Sequence, residues 1–136
     1  MSTEDLSGSC LCGNVRYTAS GETLRFYHCH CSRCRKASGA AHASNMFVKG
    51  RLQWQSGEEL IAVYKVPEAQ RFTVAFCRNC GSRVPRYIDK IGMAFIPAGS
   101  LDVEPAASPQ ARVFTGSRAA WSCDATEMPE FSEFPA

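Results

Sequence analysis

Seven of the eight cysteines fall into three short clusters. They read Cys10-Leu11-Cys12-Gly13, then His28-Cys29-His30-Cys31-Ser32-Arg33-Cys34, then Cys77-Arg78-Asn79-Cys80-Gly81. Thiolates are the ligands zinc prefers, in a tetrahedron whose four positions are all protein in structural sites and three protein plus one open in catalytic ones. A Cys-x-x-Cys pair followed by Gly is a turn that aims both sulfurs at one metal, because Gly accepts the positive φ the turn needs. One such knuckle supplies two ligands, so another pair must come from elsewhere in the chain. Cys10 and Cys12 with Cys77 and Cys80 close one tetrahedron and leave Cys29, Cys31 and Cys34 as a group of three with an open position. Spacing also permits the middle cluster to pair with the knuckle, leaving Cys10 and Cys12 spare. Cys123 stands alone and reads as a packed or free thiol.

The residues around the middle cluster carry their own expectations. If Cys29 and Cys31 point at a metal from an extended segment, alternation turns His28 and His30 to the opposite face, as supporting groups more than ligands. His42 reads as a surface or internally satisfied histidine. Arg33, Arg35 and Lys36 form either a solvated face or a positive rim that lowers thiol pKa values and attracts an anionic substrate.

Short runs rich in β-branched and aromatic residues must position these groups: Val15 to Thr18, Leu24 to Tyr27, Ala43 to Val48, Leu52 to Gln55, Ile61 to Val66, Phe72 to Phe76, Val84 to Ile88, Met93 to Ile96 and Arg112 to Thr115. Gly-based punctuation at Gly21, Gly50, Gly57, Gly81 and Gly92 separates them, the pattern of an all-β fold of hairpins. No window carries a 3.6-residue apolar stripe, and a single helical turn fits after Cys34. Pro85 inside a strand-like run predicts an edge or a bulge. Trp54, Phe72, Phe76, Phe95 and Trp121 read as core. Prolines break the chain after Glu104, so the tail from Glu127 to Ala136 is expected on the surface.

Length and composition set the outer bounds. A chain of 136 residues, 45% apolar and 21% charged, fits one folded domain over 1–136. A net charge of +2 lacks the concentrated basic excess of a nucleic-acid binder. No apolar run reaches the roughly 20 residues of a membrane helix. The N-terminus, with two acids and no apolar run, does not read as a secretory signal. The expectation is a cytoplasmic protein with reduced thiols, whose clustered cysteines serve metal or redox chemistry and not a disulfide framework.

The ordered set Cys-x-Cys-Gly, His-Cys-x-Cys-Ser-x-Cys-Arg-Lys-x-Ser-Gly and Phe-Cys-x-x-Cys-Gly-Ser resembles the glutathione-dependent formaldehyde-activating enzyme family, which includes centromere protein V. The segment Val113 to Trp121 resembles the family's closing strand and Trp-containing end, so the resemblance runs from Gly8 to about Pro129. It implies a β-tent fold shared with methionine sulfoxide reductase B. It implies a structural zinc on Cys10, Cys12, Cys77 and Cys80, and a second zinc on Cys29, Cys31 and Cys34 where glutathione binds. The implied activity is that of a carbon–sulfur lyase joining formaldehyde to glutathione. Arg33, Arg35 and Lys36 are then the candidate glutathione rim, and a small thiol and a small aldehyde the partners. Two other functions fit the same cysteines: a zinc-dependent thiol carrier without catalysis, and a methionine sulfoxide reductase. The reductase normally uses two knuckles for its zinc plus a separate redox cysteine, a pattern this chain matches less well.

Overall fold

A computed structural model describes residues 3–122 and 127–135, so Cys123 lies outside the described residues. The strands are β1 (Glu4–Ser9), β2 (Arg16–Cys29), β3 (Ala43–Ser56), β4 (Ile61–Lys65), β5 (Thr73–Cys77), β6 (Arg83–Val84), β7 (Arg86–Ile88), β8 (Met93–Pro97) and β9 (Ala111–Val113), with one α-helix, α1 (Ser32–Ser38), among the described residues. The all-β expectation holds. One sheet runs β1-β2-β3-β8-β7 with β9 added on β2, and a second runs β4-β5-β6. All pairs are antiparallel except β9, which lies parallel to the end of β2.

Strands β2 and β3 each span 14 residues, where the sequence suggests two short strands apiece. Gly21 and Gly50, read from the sequence as turns, sit inside them and pair directly. A Cβ on Gly21 would stand 2.1 Å from the Lys49 carbonyl oxygen, and one on Gly50 would stand 1.9 Å from that of Ser20. The glycines therefore let two long backbones cross closely instead of ending them. The main core lies on this sheet: Leu6, Tyr17, Ala19, Phe26, Met46, Val48, Ala94 and Ile96.

Pro85 joins two edge strands, as its place in a strand-like run predicts: β6 and β7 each end their sheet. It is fully buried between β6 and β7, which belong to different sheets. Its fixed φ and missing N–H suit the corner where the chain leaves one ladder for the other. Trp121, expected in the core, is 68% exposed. Trp54 packs against two core clusters, whereas Phe72, Phe76 and Phe95 are half-buried. Residues 127–135 are exposed, as the prolines suggest. Among the described residues, no helix is long and apolar enough to cross a membrane.

Candidate metal centres and the adjoining cavities

The first thiol group comes from two loops that follow strands. Cys10 leaves β1, and a tight turn is closed by the Gly13 amide donating to the Cys10 carbonyl over 3.0 Å. Cys77 ends β5, and the Gly81 amide donates to the Cys77 carbonyl over 2.7 Å, with Gly81 at φ 78°. Ser82 fastens the two loops: the Leu11 amide donates to its Oγ over 3.0 Å. The Sγ atoms of Cys10, Cys12, Cys77 and Cys80 all lie within 4.8 Å of one another. Cys10 and Cys12 sulfurs are 3.5 Å apart, and Cys12 and Cys77 sulfurs 3.9 Å apart. A zinc tetrahedron with bonds of about 2.3 Å has sulfur–sulfur edges of about 3.8 Å, so the group fits that ion. Contacts from the Ser82 hydroxyl and amide hold the Cys80 thiol down at about 5, ready to be a thiolate at neutral pH.

The second group is built at the junction of β2 and α1. Cys29 is the last residue of β2, Cys31 is the N-cap of α1, and Cys34 lies in its first turn. The Cys34 amide donates to Cys31 Sγ over 3.3 Å, so the Cys-x-x-Cys spacing doubles as a helix cap. The three sulfurs again lie within 4.8 Å of one another. Asn45 of β3, itself buried, donates its amide to Cys34 Sγ over 3.8 Å, and its Oδ1 is buried without a hydrogen-bond partner. Burial pushes the Cys29 and Cys34 thiols up. Burial acts the same way on Cys31, but the Cys34 amide and the Cys29 and Cys34 thiols outweigh it and bring its pKa down. Three soft sulfurs and no hard oxygen donor make this, too, a site whose chemistry suits zinc.

The histidines gather with one another and not with the sulfurs. His28 and His42 stack with ring centroids 4.0 Å apart, and His30 and His42 rings lie 5.2 Å apart. Burial pushes all three imidazoles down. His42, isolated in sequence, thus completes a cluster that only the pairing of β2 with β3 reveals.

A cavity of about 620 Å³ opens on the three sulfurs. Its walls include Tyr27, Arg33, Phe47, Phe72, Phe95 and Val113. Of the sequence-derived rim, Arg33 lines this cavity, and Arg35 and Lys36 do not line it. A second cavity of about 470 Å³ shares Cys34, Asn45, Phe47, Phe72 and Phe95 with the first. Sequence reasoning missed Asn45 and read Phe72 and Phe95 as core; no motif marks them, because the sheet register brings them to the sulfurs.

The β-fold thus gathers four thiols in one group and three in another, each of which could hold a metal ion. The family model for the glutathione-dependent formaldehyde-activating enzyme matches residues 5–117, and the chain belongs to that family. A solved protein of Rhodobacter sphaeroides is similar in fold, with a TM-score of 0.53 at 23% identity, over 78% of this chain and 97% of that one. Among curated proteins, none matches the chain.

Proposed function

We propose that this chain is a zinc-dependent enzyme of the carbon–sulfur lyase class, one domain over 1–136, that joins formaldehyde or a similar small aldehyde to glutathione. One observation carries the proposal: three sulfurs within 4.8 Å of one another at the wall of a 620 Å³ cavity, in a chain of this family. Cys10, Cys12, Cys77 and Cys80 would hold a structural ion, and Cys29, Cys31 and Cys34 would hold a second at the wall of the cavity. Zinc bound there supplies the Lewis acidity that keeps an incoming thiol deprotonated at neutral pH.

The chain's own residues do the rest. Asn45 fixes Cys34 through its amide, and the cap bond from the Cys34 amide fixes Cys31. Phe47, Phe72, Phe95 and Val113 exclude water from the reacting pair, and Arg33 sets positive charge on the same wall. Holding thiol and aldehyde side by side replaces an encounter in solution with a reaction inside one complex. In the reaction the thiol sulfur bonds to the carbonyl carbon, and the proton given up by the thiol ends on the former carbonyl oxygen. Clustered cysteines that serve metals and not disulfides support a cytoplasmic location.

The test is zinc content per chain, glutathione titration by calorimetry, and exchange spectroscopy of S-(hydroxymethyl)glutathione formation. Two zinc ions, measurable binding and accelerated exchange are expected. Binding without acceleration would make the protein a thiol carrier, and no binding at millimolar glutathione would remove glutathione as the substrate.

A further inference from the structure

Among the described residues, the second cavity is lined by four arginines, Arg25, Arg71, Arg83 and Arg86, and by no acidic side chain. This concentration is out of proportion to a chain whose net charge is only +2. Two of the arginines are held in place by aromatic rings. Arg25 stands over Phe47 and Arg86 over Phe95, each 5.9 Å from the ring centroid, and the two rings themselves meet edge to face at 4.4 Å. Those rings are also the partition between this cavity and the one that opens on the sulfurs. Arg83 is the most telling. It is half-buried, its Nε is buried with no hydrogen-bond partner among the described residues, and burial pushes its pKa down. A buried guanidinium donor left without a hydrogen-bond partner carries a desolvation cost, and a carboxylate is the planar partner its donors match.

We infer that this arginine-lined cavity is the carboxylate subsite for the thiol co-substrate whose sulfur reaches the Cys29, Cys31 and Cys34 group. The inference rests on the proposed function and specifies its substrate class as an anionic, carboxylate-bearing thiol. Glutathione carries its thiol on the middle of three residues. With about 3.5 Å per extended residue and a glutamyl residue joined through its longer side chain, its carboxylates lie within about 10 Å of the sulfur. Cys34 and Asn45 face both cavities, so a molecule of that span bridges them. Leu24, Ile88, Ile91 and Met93 add an apolar lining beside the guanidinium groups, and charge-assisted pairs of guanidinium and carboxylate are among the stronger hydrogen bonds. On this arrangement Arg33, Arg35 and Lys36 are secondary for recognition, and the discriminating charges come from β2, β6, β7 and the loop before β5.

The experiment titrates zinc-loaded protein with glutathione, with glutathione diethyl ester, and with glutarate as a dicarboxylate lacking a thiol. Wild type is expected to bind glutathione about tenfold more tightly than the ester, in keeping with charge-assisted bonds. Arg83→Met and, independently, Arg71→Gln should erase most of that preference while leaving zinc content and ester affinity unchanged. Arg71 is exposed, so its variant carries the test should Arg83→Met fold poorly. Equal affinity for glutathione and ester, or an undiminished preference in Arg71→Gln, would overturn the assignment. Absence of glutathione binding with arginine-dependent glutarate binding would sustain the carboxylate subsite and sink glutathione as the substrate. Absence of both would overturn the subsite itself.

Discussion

Asn45 reaches across from β3 to Cys34, its amide 3.8 Å from the sulfur, while its own carbonyl oxygen is buried without a partner. An amide in this position orients a ligand without being one. Groups of this kind commonly change metal affinity by about 10- to 100-fold when removed. Asn45→Ala is therefore expected to lose the second zinc to a chelator about tenfold faster than wild type, with an unchanged far-ultraviolet spectrum. Identical release rates would deny Asn45 this role.

The two thiol groups should differ in what they do for the fold. Cys80→Ala removes a ligand from the group that fastens the loop after β1 to the loop after β5. A closed zinc site of this kind contributes about 10 kcal/mol or more, comparable to the whole stability of a domain. The variant should be insoluble or melt without cooperativity. Wild-type melting of Cys77→Ala and Cys80→Ala would remove the structural-site assignment.

Cys29→Ala and Cys34→Ala should instead fold and lose about one zinc per chain, because their group spans one short local segment. Metal analysis alongside thermal melting separates the cases. Unfolding as severe as that of Cys80→Ala would rule out an open site.

Stability at high pH should carry a signature of Tyr17. Its hydroxyl lies 2.6 Å from Ser100 Oγ, and burial pushes its pKa up to about 12 from 10.0. A raised phenol pKa means that the folded form keeps a proton the unfolded form releases. The contribution is thus complete below pH 10 and is lost as pH rises through about 12, by about 2–3 kcal/mol in all. Tyr17→Phe should be about 1 kcal/mol less stable at pH 8, from the lost hydrogen bond, and should lose less stability between pH 10 and 12. Parallel stability curves for the two proteins would contradict this.

The Gly21–Gly50 crossing makes a paired prediction. Gly21→Ala places a methyl against the Lys49 carbonyl and should cost about 3 kcal/mol, in the range of overpacked interiors. Gly99→Ala meets nothing within 4 Å and should melt like wild type. Equal melting temperatures for the two variants would mean that the strands part there at little cost.

That crossing also explains where the sequence was legible and where it was not. The cysteine clusters were readable because metal chemistry fixes both residue type and spacing, and the geometry groups them in one of the two partitions the spacing allows. The apolar runs located the strands, but Gly21 and Gly50 read as turns when each is answered by the other across the ladder, a relation between distant residues. Strand β1 escaped notice because Glu4–Ser9 contains one large apolar residue, Leu6, and owes its conformation to pairing with β2. Trp121 misled because residue type speaks for burial on average and says nothing of position. The arginine cavity was hidden for the same reason: Arg25, Arg71, Arg83 and Arg86 have no common motif and meet only through the folding of two sheets and the loop before β5.

The parallel pairing of β9 with the end of β2 has a consequence for biosynthesis. A nascent chain that has cleared the ribosome as far as Ile96 already contains all the thiols of both groups. It still lacks Val113, Phe114 and Ser117, which complete the cavity over the sulfurs, and the Val113 carbonyl that accepts from the His30 amide over 2.9 Å. Metal capture can thus precede enclosure, and the wall that confers selectivity arrives after the chemistry it guards. During that interval any ion held by the sulfurs would be open to small thiols in solution, so loading and substrate choice would be separated in time along a single polypeptide.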